Sequence, residues 1–133
     1  MANPNIVAVT TIYGTTTYYT PSGTSAVVLL ANAASSGKVY KINQIVCANV
    51  NGSAAVNATV SIYTNGAVAQ VSAPAGVTAY PIISTVSVPA NAAGIAVDKT
   101  TAIYLQEGTS ISVTSGTASG ITYSISYEDI SSS

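Results

Sequence analysis

The sequence predicts an all-β protein: a single antiparallel β-sandwich or jelly-roll-like domain of about eight to ten strands. Turn-forming clusters recur about every 8–12 residues, the spacing of short strands in such folds. Between the turns, runs rich in Val, Ile, Thr and Tyr alternate apolar with polar residues, the period of a half-buried strand. No segment keeps an apolar helical period for three turns.

Along the chain, "AVTTIYG" and "TTTYYT" flank Gly14 and read as strand. Their Thr- and Tyr-rich texture sets residues 1–20 apart as an N-terminal arm or edge strands, with the sandwich proper over 21–133. Deleting such an arm is expected to lower assembly without unfolding the domain. Pro21-Ser22-Gly23 is a turn, "SAVVLLANA" a short apolar strand, and "ASSG" a loop. In "KVYKINQIVCANV" the set Tyr40, Ile42, Gln44, Val46, Ala48 and Val50 is the more apolar and is assigned to the core. Asn51-Gly52 is a strong hairpin signal, which makes "AAVNATVSIYT" the antiparallel partner of that strand. Asn65-Gly66 reads as another tight turn before a short strand, "AVAQVS". Pro81 and Pro89 restrict "AYPIISTVSVPAN" to a sheet edge or to strand ends. "AGIAV" and "AIYLQ" flank a corner at Asp98, and "TSISV" and "GITYSISYEDI" close the series.

The chain has 133 residues and a net charge of −1, one domain's worth of sequence and enough to bury a real core. Only 5% of the residues are charged, with three Lys and neither Arg nor His. Interface cores are depleted of charge in the same way, so much of this surface is expected to meet other subunits. Nucleic acid is not an expected partner, because three lysines leave a weak phosphate footprint and Arg, the usual reader of guanine, is missing. A basic patch for anionic membranes is absent for the same reason, and no apolar run reaches the length of a membrane span. The start, "MANPNIVAV", lacks the pattern of a secretory signal, so synthesis in a cytoplasm is expected.

Catalysis finds little to work with. Without His, neither a Ser-His-Asp nor a Cys-His system can be built. The carboxylates are Asp98, Glu107, Glu128 and Asp129. Glu128 and Asp129 point to opposite faces of a strand, and Asp98 and Glu107 lie roughly 20 Å or more apart if the chain between them is extended. Neither pair suits a glycosidase. Glu107-Gly108, between two strand-like runs, reads as a turn. One cysteine, Cys47, makes no zinc site and reads as a small core residue, and the carboxylates are too scattered for a calcium loop. No enzyme activity, cofactor or metal is expected. The nine tyrosines carry all the aromatic packing, since Phe and Trp are absent. Tyr13, Tyr18 and Tyr19 are the candidate subunit-interface residues; on a strand, one of the adjacent pair Tyr18 and Tyr19 must face away from the core.

Four stretches, taken in order, carry a resemblance. They are "MANPNIVAVTTIYG", "SGKVYKINQIVCANVNGSAA", "STVSVPANAAGIAVDKTTAIYLQEGTSISVTSGTASGI" and "TYSISYEDI". Together they span nearly the whole chain, and it resembles the small β-rich virion structural proteins of marine contractile-tailed phages, those of cyanophages above all. The shared order is a Gly-Lys-Val-aromatic-Lys-Ile strand, an Asn-Val-Asn-Gly turn, a Val-Pro strand end, an Asp-Lys corner, an Ile-Tyr-Leu-x-Glu-Gly turn and a final Ser-Tyr-Glu-Glu-Ile-like strand. Glu128-Asp129 stands where a pair of glutamates would be expected, which leaves the charge unchanged. The resemblance implies a non-enzymatic particle component: a capsid decoration or stabilising protein first, a neck, tail or fibre subunit second. Its partners would be other virion proteins, the major capsid protein or neighbouring copies of itself in a homo-oligomer. A rival expectation is a carbohydrate- or host-surface-binding module using Tyr, Asn and Thr on loops such as Asn49 to Ser53.

Overall fold

The computed structural model describes residues 11–65, 78–97 and 103–131. Within them are nine strands: β1 (Thr11–Tyr19), β2 (Val27–Asn32), β3 (Lys38–Asn49), β4 (Val56–Tyr63), β5 (Ala79–Val88), β6 (Ala93–Val97), β7 (Ile103–Leu105), β8 (Thr109–Ser115) and β9 (Ile121–Ser131). They form two sheets in which every pairing is antiparallel. The first runs β1-β9-β3-β6, with β7 also on β3; the second runs β2-β8-β4-β5. The chain passes back and forth between the sheets, and early strands pair with late ones, β1 with β9 and β2 with β8. That is the strand order of a jelly roll. β6 and β7 lie against opposite ends of β3, at Ile45–Ala48 and Tyr40–Ile42, as two pieces of one edge. The corner between them, with Asp98, falls outside the described residues, as do Gly66 and "AVAQVS".

The core lies between the sheets. Ile42, Ile45, Cys47, Ile121, Tyr123 and Ile125 come from the first, and Leu29, Val56, Ala58, Val60, Ile111 and Val113 from the second. All are buried. Each fully buried branched side chain is worth about 1.5–3 kcal/mol, and most are β-branched, which suits a pleated surface. Tyr123 spans the core. Its hydroxyl donates to the carbonyl of Thr114 on β8 and accepts from the amide of Thr59 on β4, at 3.3 Å for the latter. Thr59 and Thr114 are register partners, so a side chain of the first sheet is hydrogen-bonded to the backbone ladder of the second.

Two expectations are corrected. The core face of β3 is Tyr40, Ile42, Ile45, Cys47 and Asn49: Tyr40 and Ile42 lie as expected, whereas Gln44, Val46, Ala48 and Val50 do not. The cause is a β-bulge: Ile42 pairs with Tyr127 and Gln44 with Ser126, leaving Asn43 extra. Beyond it the alternation changes phase, so Val46 and Ala48 turn outward and Val50 is exposed. Secondly, β3 and β4 are not a hairpin. They lie in different sheets, and residues 50–55 cross between them. Asn51 Oδ1 accepts from the amide of Ser53 at 3.0 Å, so Asn51-Gly52 makes a side-chain-closed turn within a crossover. Asn49, buried, pins the crossover. Its Nδ2 donates to the carbonyls of Ala54 (3.0 Å) and Val88 (2.8 Å), and its Oδ1 accepts from the amide of Asn51 (2.8 Å).

Elsewhere the structure follows the pattern, with one further correction at Gly14. β5, with Pro81, is an edge strand, and Pro89 lies just past its end. Gly14 sits inside an unbroken β1, opposite Glu128, rather than between two strands.

Candidate interaction surface

The register of the first sheet decides which side chains face away from the core. On β9, Ile121, Tyr123 and Ile125 point inward, so Thr122, Ser124, Ser126 and Glu128 point outward. Reading across the ladders gives outward rows. One holds Tyr18, Ser124, Val46 and Ile95, on β1, β9, β3 and β6 in turn. Another holds Gly14, Glu128, Lys41 and Tyr104. Between them lie Thr16, Ser126 and Gln44, the Thr16 and Ser126 hydroxyls being 3.1 Å apart. Tyr18 is 71% exposed, Ile95 59% and Tyr104 51%. Three large apolar side chains thus stand on one face among small hydroxyl residues, with Lys41 and Glu128 the charges in these rows. At one end the next row, Ile12, Ile130 and Val39, turns from exposed to buried.

The outer face of the second sheet differs. Val28, Ser61 and Ser112 form a row there, beside Ser110, and all four are buried within the chain. Asn57, Pro81 and Ser87 on the same side are exposed but small or polar, so the open face that carries large apolar side chains is that of the first sheet.

The three tyrosines singled out in the sequence all lie on β1 and take different positions. Tyr18 belongs to the open face. Tyr19 has the opposite orientation, pairs with Tyr123 and packs against the core. Tyr13 shares the side of Tyr19 but is 62% exposed, toward the start of the strand. Ile12, Val46, Ile95 and Tyr104 were not singled out. The unbroken alternation that the bulge interrupts would put Val46 in the core, and Ile95 and Tyr104 share the open face only because β6 and β7 flank the same strand.

Among the described residues, the carboxylates and the one cysteine are engaged or buried. Glu107 stands in the turn between β7 and β8, where Gly108 takes φ 77°, and its Oε2 accepts from the amide of Gly37 at 2.6 Å. Buried Asn32 joins the same corner: its Nδ2 donates to the carbonyls of Lys38 and Leu105, both at 3.0 Å, and its own carbonyl accepts from Gly108. Glu128 faces outward and accepts from Asn43 Nδ2 at 3.2 Å. Asp129, on the opposite side of the strand, pairs with Lys38 Nζ at 3.3 Å and raises the pKa of that lysine, chiefly through the hydrogen bond. Cys47 is a free thiol in the core, and burial pushes its pKa up to about 11. Among the described residues no three His, Cys, Asp or Glu converge as metal ligands.

No protein-family model matches this chain, and no curated protein matches it.

Proposed function

We propose that this chain is a non-enzymatic structural subunit of a phage particle, a capsid decoration or stabilising protein that is made in the host cytoplasm and carried in the virion as a homo-oligomer. The observation that carries the reading is the open face of the first sheet, where Lys41 and Glu128 sit opposite each other as balanced charges and Tyr18, Ile95 and Tyr104 stand exposed. Apolar surface left open on one face of a folded chain marks a contact with other protein. Aromatic rings with wet hydroxyls among Ser and Thr suit a surface that docks without strong charge. Jelly rolls also serve as capsid domains, an analogy at the level of fold, since they serve as lectins too. The sequence resemblance to small virion proteins of marine phages points the same way.

The carbohydrate-binding alternative draws less support. In the loop that would serve it, both Nδ2 hydrogens of Asn49 are spent on backbone carbonyls, and Asn51 Oδ1 accepts from Ser53.

Antibody-gold labelling of purified intact particles, viewed by electron microscopy, tests the proposal. Even labelling over the head is expected. Labelling confined to the neck or tail would make the chain a connector or fibre subunit. Absence from both intact and disrupted particles would overturn the virion reading, and a glycan array would then test the binding module.

A further inference from the structure

Among the described residues the sandwich has four sheet edges, and three are blunted by devices that keep strands from pairing with other chains. β5 carries Pro81, two register shifts against β4 and a positive φ of 48° at Thr85. β2 is a six-residue strand with a bulge between Val28 and Leu30. The edge opposite β1 is divided into β6 and β7, of five and three residues. β1 has none of these features. It runs nine residues, Thr11 to Tyr19, in unshifted register with β9, without Pro and without a charged side chain. Among the described residues, β9 is its sole strand neighbour.

We infer that β1 is a self-pairing edge: two copies of the chain join β1 to β1 antiparallel across a two-fold axis at Thr15, fusing their first sheets into one. The side chains select this register. A two-fold between antiparallel neighbours stands perpendicular to the sheet, so outward residues must meet outward residues. Centring on Thr15 sets Ile12 against the partner's Tyr18 on the open face, and Tyr18 against the partner's Ile12. It sets Gly14 against the partner's Thr16, and on the other side Tyr13 against the partner's Thr17. Ile12 and Tyr18 are 53% and 71% exposed in the single chain, and the pairing covers both with an aromatic–aliphatic cross-strand contact, made twice. No like charges meet, because β1 has no charges. The backbone groups on the open side of β1 gain partners, as in strand addition at other sheet edges. The pairing concerns the free chain and is independent of the particle proposal, so either can fail without the other.

The test is the association state of the full chain. Sedimentation equilibrium over a concentration series is expected to show a monomer–dimer equilibrium. Thr15 is exposed and faces itself across the axis, so T15K and T15E each place like charges together. Each variant alone is expected to lose at least about tenfold in association constant, with an unchanged circular dichroism spectrum. An equal mixture of T15K and T15E is expected to regain dimers, because opposite charges then meet at the axis. Y18S, which removes an exposed ring, is expected to weaken association without lowering thermal stability, and it serves if the Thr15 variants do not fold. A wild-type chain that stays monomeric throughout would overturn the pairing. So would charged variants that associate as the wild type does, or a mixture that fails to pair.

Discussion

Tyr123 and Cys47 show how single buried side chains hold this domain without doing chemistry. The Tyr123 hydroxyl is hydrogen-bonded to the Thr59 amide and the Thr114 carbonyl, so Y123F removes both of these bonds between the sheets. A loss of about 1–3 kcal/mol in unfolding free energy is expected, measured by urea titration. Burial raises the pKa of both groups, that of Cys47 from 9.0 to about 11. Between those values the unfolded thiol gives up its proton while the folded one keeps it. The unfolded state then binds fewer protons, so stability present below pH 9 is lost as pH rises toward 11. The slope approaches about 1.4 kcal/mol per pH unit for this one group. Urea titrations at several pH values should show the fall, and C47A should flatten it from pH 9 to about 10, above which Tyr123 adds a fall of the same sign. A thiol reagent at pH 8 should leave native Cys47 untouched and label it only on unfolding.

At the scale of elements, the bulge in β3 makes a sharp prediction. Deleting Asn43 leaves Ile42, Gln44 and Ile45 opposite Tyr127, Ser126 and Ile125, an unbroken ladder with every core residue still inward. That variant is expected to fold, losing about 1 kcal/mol with the bond from Asn43 to Glu128. Deleting Val46 instead turns Cys47 and Asn49 outward and is expected to abolish the cooperative thermal transition. The same bulge explains what could be read in advance. The β9 alternation, Ile121, Tyr123 and Ile125 inward, is visible in the sequence because nothing interrupts it. The β3 phase is not, since an ordinary Asn in an ordinary strand carries no sign of being the extra residue. Asn51-Gly52 misled for a related reason: turn chemistry is local, and whether the chain returns in the same sheet or crosses to the other depends on Asn49 and its distant partner Val88. Of the surface, Tyr18 was legible from its place beside Tyr19, whereas the row it shares with Val46 and Ile95 exists only through pairing. β1 also changes which truncation is informative. Removing residues 1–20 removes Tyr19 from the core rim and bares the edge of β9, so a marked loss of stability is expected alongside any loss of assembly. Stopping at residue 10 leaves the strand whole.

For the whole molecule, the topology sets the order of events. β9 lies between β1 and β3, and its partners Thr11 and Lys38 both meet Ser131, so the first sheet cannot close until the last strand is present. Pairings so distant in sequence make the loop-closure entropy large, and slow folding, on a scale of milliseconds to seconds, is expected in stopped-flow refolding. The pairing of Thr11 with Ser131 has a different consequence for anyone who would build with this domain. Both strand ends leave the sheet side by side, at the same end. A short linker can join them, and new termini opened at the exposed Gly52-Ser53 would give a circular permutant that keeps every strand pairing intact. By the same geometry, cargo fused before β1 and cargo fused after β9 would be displayed together, at one end of the sandwich.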